Sequence, residues 1–325
     1  MLKDVTIKPI QKIEAPLHLG QLIGNQFAIT IHEASASTTD VEALLSPLQA
    51  LDGFPNFFGF QRFGGIRPIT HVVGKYLTQG NFEAAVMTYI AHPLPTDPEE
   101  SYRLRTALAQ TRDFSQALRE YPRSMNFERL ILERLVQNPS DFVDAIQALP
   151  KNLLIMFVNA YQSYLFNRMV SARIHQGLPL HEAVEGDVVI PLKDGSLQET
   201  IIPVSVTNLE KVNIQIRRQK AVVVGVLFGS ESTLSSGAMG EIEERILREE
   251  KVEARAFIIP ELPMLSSSGS WRRLLAPMSH LTWSAHEDSR YPGTDEVHLS
   301  FELAKGCYAT SLLREVMKAS SATAY

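Results

Sequence analysis

The spacing of apolar residues changes character twice along this chain. At the start, residues 5–13 (VTIKPIQKI) read as a strand. Phe27, Ile29 and Ile31 then alternate against Ala28, Thr30 and His32, which predicts a half-buried strand over residues 27–33. Thr39-Asp40-Val41-Glu42 has the layout of a capping box, and Val41, Leu44, Leu45, Leu48 and Leu51 fall on one stripe of the helix it opens. Gly53 suits the position just past that helix. Between about residues 70 and 137 the spacing turns helical in three stretches, THVVGKYLTQ, NFEAAVMTYIAHP and MNFERLILERLVQ. No fixed period joins them into a solenoid. Residues 152–176 predict the longest helix, with Leu154, Phe157, Val158, Tyr161, Leu165 and Val170 available for burial.

Beyond Gly177 the pattern shifts to short strands and loops. Residues 187–191, 201–206 and 221–228 read as strands, the last so continuously apolar that a central place in a sheet is expected. Residues 239–250 form a charged helix whose buried side is Ile242, Ile246 and Leu247, and the Pro-, Ser- and Gly-rich residues 260–270 form a loop. Val297, Leu299, Phe301 and Leu303 alternate as a strand, and Thr310 is placed to cap a closing helix through Met317. Strands and helices mixed without a βαβ rhythm predict an α+β fold.

Composition narrows the function classes. A length of 325 residues suits two domains, or one with a large insertion. Apolar residues at 45% and charged residues at 21% exclude disordered and collagen-like chains. The formal charge of −5 excludes a globally basic coat, so a polyanion would have to meet a local patch. A single cysteine, Cys307, excludes an intramolecular disulfide and a Cys-rich zinc site, and fits a reducing cytosol. No apolar run reaches the ~18 residues of a membrane span, and the first residues lack a signal-peptide layout, so a cytoplasmic location is expected. His-Glu-x-x-His, Cys-x-x-Cys and the glycine-rich nucleotide loops are all missing from the sequence, and no metal or cofactor is expected.

The most unusual segment is PNFFGFQRFG at residues 55–64, with five aromatics between positions 54 and 63 interleaved with Asn56, Gln61 and Arg62. Such a composition suits a pocket that stacks a base between rings and reads its edge with an amide, with Arg62 answering a phosphate or carboxylate. It suits equally well a buried aromatic plug in which Asn56 caps a turn. AYQSYLFNR at residues 160–168 reads as an amphipathic core helix with polar tips. Gly306-Cys307-Tyr308-Ala309-Thr310 links a strand to a helix N-terminus, where Tyr308 can stack on a ring. Arg217-Arg218 with Lys220, and Arg272-Arg273, are candidate phosphate contacts.

Together these segments resemble the TruD family of tRNA pseudouridine synthases in its archaeal-type form. The matching blocks are residues 19–27, 56–64, 157–168, 185–188, 240–243, 260–262, 268–273 and 305–315, in family order, and NFFGFQRFG and AYQSYLFNR are the most specific. The resemblance implies a pseudouridine-synthase mixed sheet with flanking helices, interrupted by an α/β insertion. The catalytic domain would hold residues 1–81 and 276–325, and the insertion residues 82–275. The implied reaction flips a uracil of tRNA from its stack, attacks with a carboxylate, breaks the glycosidic bond and rejoins the base through carbon. On matching positions Asn56 corresponds to the substrate-contacting asparagine, Phe58 to the phenylalanine packed on the uracil, and Tyr308 to an aromatic substrate contact. Arg62, Arg272 and Arg273 would support RNA or structure.

The family's catalytic aspartate lies in a Gly-x-Lys-Asp-[Arg/Lys]-x-Ala motif, several tens of residues before the block matched by 19–27. Here Leu2-Lys3-Asp4 is followed by Val5-Thr6-Ile7, with Asp4 only 20 residues before Gly24. The expectation is therefore that the segment carrying the nucleophile is missing, with Asp4 only a fallback for the role. Expected partners are tRNA and, where the synthase is split, a second polypeptide supplying that segment. The alternatives are a non-catalytic RNA-binding remnant and an interaction module built on helices 70–176.

Overall fold

The computed structural model describes residues 21–34 and 38–318, together with Glu14, Pro16 and His18. The strand expected over residues 5–13, and Asp4, lie outside the described residues. In chain order the elements are β1 (Gly24–Ala34), α1 (Thr38–Ala50), β2 (Gly53–Pro55), α2 (Thr70–Thr78), α3 (Phe82–Ala91), α4 (Glu99–Thr111), α5 (Phe114–Glu120), α6 (Asn126–Gln137), α7 (Phe142–Gln147) and α8 (Lys151–His175). Then follow β3 (Val188–Lys193), β4 (Ser196–Leu197), β5 (Ile202–Pro203), α9 (Leu209–Arg217), β6 (Ala221–Leu227), α10 (Gly237–Glu250), β7 (Ser270–Arg273), β8 (Leu275–Glu287), β9 (Asp295–Ala304) and α11 (Ala309–Met317). The fold is α+β, and every strand pairing among the described residues is antiparallel. Among the described residues no helix is long and apolar enough to cross a membrane.

The chain divides into two compact units, Met1–Ser35 with Met278–Gly306, and Ala36–Pro277 with Cys307–Tyr325. In the smaller unit β9 lies between β1 and β8. Val297, Leu299, Phe301 and Leu303 are its buried spine, and Phe27 stacks on its cross-strand partner Phe301 with ring centroids 5.3 Å apart. A tight turn closes this sheet around Asp288, whose carboxylate accepts the backbone N–H groups of Glu33 (2.8 Å), Arg290 (2.8 Å) and Tyr291 (3.1 Å) and lies 3.1 Å from His32 Nδ1. Burial alone would raise its pKa, but these donors bring it down to about 2. Glu296 completes a group with His32 and Asp288 within 4.8 Å, and the oxygens of Asp288 are already engaged in holding the turn.

In the larger unit β6 is central, flanked by β3 and β7, as its continuous apolar run predicts. The 25-residue α8 is the axis of the helical layer, and all six residues expected to be buried on it are buried. It packs closely on α2 because position 74 is glycine. A Cβ there would stand 2.0 Å from the carbonyl oxygen of Phe157. At the far end of α8 the buried Arg173 forms a fork on Asp187, with contacts of 2.5 and 2.7 Å, and its Nε donates to the Pro179 carbonyl at 2.8 Å. Close by, Glu243 on α10 is wholly buried and accepts the backbone N–H of Ser235 at 2.7 Å.

Several local expectations are corrected. Only Val41, Leu45 and Leu48 of the α1 stripe turn inward, while Leu44 and Leu51 are exposed. The left-handed residue after α1 is Asp52 at φ 47°, and Gly53 begins β2 instead. The strand expected over residues 201–206 shrinks to two residues, Ile202–Pro203, paired on β3. Thr310 does not cap α11; its hydroxyl reaches Gln61 Oε1 at 3.1 Å.

The buried packing makes two predictions. Gly74→Ala pushes α2 off α8 and lowers stability by about 1–3 kcal/mol in equilibrium unfolding. Burial pushes Glu243 from 4.5 up to about 7, so between those pH values the unfolded chain releases a proton that the fold retains. Stability therefore falls as pH rises through that window, and Glu243→Gln should gain on the parent by up to about 3 kcal/mol between pH 4.5 and 8. Urea melts across that range check this, and parallel curves for the two proteins would contradict it.

Candidate functional site

Pairing of β2 with Leu275–Pro277 brings the aromatic segment alongside residues 272–274. Asn56 is the point of attachment. Its backbone N–H donates to the Leu274 carbonyl at 2.9 Å, and its Nδ2 donates to the Arg273 carbonyl at 2.9 Å. In return Arg272 donates through Nη2 to Asn56 Oδ1 at 2.6 Å and through Nε to the Asn56 carbonyl at 3.2 Å. Only 3% of Asn56 is exposed, so its amide acts inside the protein as a connector between two segments.

Phe58 is held from the opposite side by Asn167 on α8. The Asn167 Oδ1 accepts the Phe58 backbone N–H at 2.8 Å, and its Nδ2 donates to the Phe58 carbonyl at 3.0 Å. This two-point clasp fixes the main chain as a strand neighbour would. The Phe58 ring lies 4.0 Å from the Arg272 guanidinium and 5.2 Å from that of Arg62, and it meets Phe166 and Tyr308 edge-on at 5.7 and 5.9 Å. A flat cation therefore already packs on the ring that the sequence marks for stacking.

Tyr308 takes its place as the residue before α11. The segment approaches it closely at Gly59, where a Cβ would stand 2.9 Å from the Tyr308 ring and 2.6 Å from the Thr310 hydroxyl. Ser311 Oγ donates to the Phe57 carbonyl at 3.0 Å, and the Arg314 guanidinium lies 5.5 Å from the Phe57 ring. Downstream, Arg67 ties the segment to the helical layer, donating to the His92 carbonyl at 2.9 Å and standing 3.1 Å from Asp97.

The electrostatics follow from burial. Desolvation brings Arg272 down to about 10, opposed by Cys307 and Tyr308 and reinforced by Arg62, so it stays charged at neutral pH. Desolvation also lowers Arg273 and raises the Cys307 thiol, which Arg272 and Arg273 pull the other way.

The structure brings Asn56, Phe58, Arg62, Arg272 and Tyr308 into one cluster. Arg273 supplies its carbonyl to Asn56 while its side chain donates to the Gly195 carbonyl. Arg217 pairs with Glu182 at 3.1 Å, away from the cluster. Of the aromatic segment, Phe54, Phe57 and Phe58 are buried, as a plug requires, and Phe60 and Phe63 are half-exposed. Asn167 is the residue that pattern reasoning missed. Its block stood out, but helical spacing carries no sign of a main-chain partner 109 residues away.

Asn167→Leu leaves the Phe58 N–H and C=O without partners at about 1–3 kcal/mol each, whereas Asn167→Asp keeps the acceptor for the N–H and loses less. Equilibrium unfolding separates the two variants, and a Leu variant as stable as the Asp variant would contradict the clasp.

Residues 1–316 match the family described as TruD, tRNA pseudouridine synthase D. A protein of Methanosarcina acetivorans described as "Probable tRNA pseudouridine synthase D" is 40% identical over 323 residues, covering 98% of this chain and 73% of its own length. One of the same description from Methanopyrus kandleri is 37% identical over 317 residues, covering 97% of this chain and 70% of its own. A crystal structure from Methanosarcina mazei described under the TruD name superposes with a TM-score of 0.91 at 37% identity, over 100% of this chain and 75% of that one.

Proposed function

The chain belongs to the TruD family of tRNA pseudouridine synthases, and from that membership we propose that it isomerises a uridine of tRNA to pseudouridine. What carries the reading is the cluster of Asn56, Phe58, Arg272 and Tyr308, an amide and a cation bound together over an aromatic ring. A uracil flipped from its stack needs an aromatic face and hydrogen-bond partners for its imide edge; the Phe58 and Tyr308 rings offer the face, and Arg272, positioned by the buried Asn56 amide, offers donors.

In the reaction a carboxylate attacks C1′ and the N1–C1′ bond breaks; the base turns, and C5 bonds to C1′ as the carboxylate leaves it. N1 gains a proton and the C5 proton leaves to solvent. Asp4, the fallback for the carboxylate, lies outside the described residues. Within this reading residues 82–275 are the insertion, and residues 1–81 with 276–325 the catalytic domain. The reaction calls on no metal or cofactor, and its setting is the cytoplasm.

The test is tritium release from tRNA carrying 5-labelled uridine, with a preparation free of host enzyme. Asn56→Ala and Phe58→Ala should each lower release on the order of a hundredfold while the protein still unfolds cooperatively. RNA binding without release, unmoved by Asp4→Ala, would instead select a non-catalytic RNA-binding protein or one half of a split synthase.

A further inference from the structure

Beside the Asn56–Phe58 segment the larger unit carries a cleft of about 760 Å³, inside the range of about 300–1,000 Å³ typical of ligand sites. Its apolar surface is built of rings. Phe60 and Phe63 come from the aromatic segment, His71 from α2 and Tyr164 from α8. His71 stacks on Tyr164 with centroids 4.8 Å apart and meets Phe63 edge-on at 5.3 Å. Burial holds the imidazole below its ordinary pKa, so at neutral pH the stack is uncharged.

Arg168, Arg245, Glu249 and Arg314 are the charged side chains that line the cleft. Arg168 is engaged with Glu249 at 2.6 Å and Glu250 at 2.5 Å, which neutralise it. Arg245 on α10 and Arg314 on α11 also border the cleft, are exposed, and have no ion pair among the described residues. In a chain of net charge −5, two guanidinium groups facing one aromatic hollow are a local exception.

We propose that this cleft is a second nucleotide subsite, taking one unpaired nucleotide of the RNA whose uridine enters the Asn56–Phe58 pocket. The base lies on the Phe60–Phe63 and His71–Tyr164 rings, and Arg245 and Arg314 meet the flanking phosphates. The inference rests on the RNA reading above and adds to it a place for a nucleotide other than the target. Asn167 joins the two sites, because it lines the cleft and clasps the main chain of Phe58.

The experiment titrates the chain with a fluorescent, unmodified tRNA transcript at several salt concentrations and maps ultraviolet crosslinks by mass spectrometry. Arg245→Ala with Arg314→Ala should weaken binding about tenfold and flatten the slope of log affinity against log salt by about 1–2, one for each phosphate no longer neutralised. Arg103→Ala with Arg119→Ala, on exposed positions of α4 and α5, should change neither. Crosslinks should fall on peptides containing Phe60, Phe63, His71 or Tyr164. Parental affinity and slope in the Arg245/Arg314 variant, or crosslinks confined to other peptides, would overturn the subsite. If Phe58→Ala still suppresses tritium release in that case, the proposed function stands without it. A parent chain that binds no tRNA transcript would remove both.

Discussion

Arg272 directs two of its donors at Asn56, a residue 216 positions earlier, while its guanidinium lies 4.0 Å from the Phe58 ring. Burying a guanidinium is costly unless its donors are answered, and here the answer is an amide and a main-chain carbonyl that are themselves nearly inaccessible. The arrangement works only if both segments are present and in register. Asn56 without Arg272 would leave a buried acceptor unanswered, and Arg272 without Asn56 would lose two of its acceptors. Pairing of β2 with Leu275–Pro277 supplies the register, and the rest of the cluster is arranged around that connection.

The helical layer then fixes the remaining degrees of freedom. Asn167 holds Phe58 from α8, Ser311 holds Phe57 from α11, and Arg67 ties the downstream end toward α3. Each anchor comes from a different element, so a short stretch rich in glycine and phenylalanine is immobilised with no more regular structure of its own than a 3-10 turn over Phe60–Phe63. The close approach of α2 to α8 at Gly74 matters here, because it sets where α8 runs and hence where Asn167 reaches.

How much of this could be read from the sequence depended on range. The 25-residue α8, the central β6 and the buried spine of β9 were legible because burial imposes a period on local sequence. Asn56, Phe58 and Tyr308 were legible as a set through resemblance, and residue types alone left a plug and a pocket equally open. The errors were local rules overruled by distant partners. Thr310 has the chemistry of a helix cap but finds Gln61, and Leu44 has the spacing of a core residue but faces solvent. The burial of Glu243, Arg173 and Asp187 left no trace in the pattern, since charged residues read as surface until their partners are known.

The Asn167 clasp grips only the main chain of Phe58, through its N–H and its carbonyl. The main chain of residue 58 is therefore held by contacts that do not involve its own side chain, while the ring is packed separately by Arg272, Phe166 and Tyr308. Evolution could exchange that ring for another group without having to rediscover how to hold the backbone there. Backbone placement and side-chain chemistry are set by different contacts at this residue, so its chemistry can change one side chain at a time on an unaltered main chain.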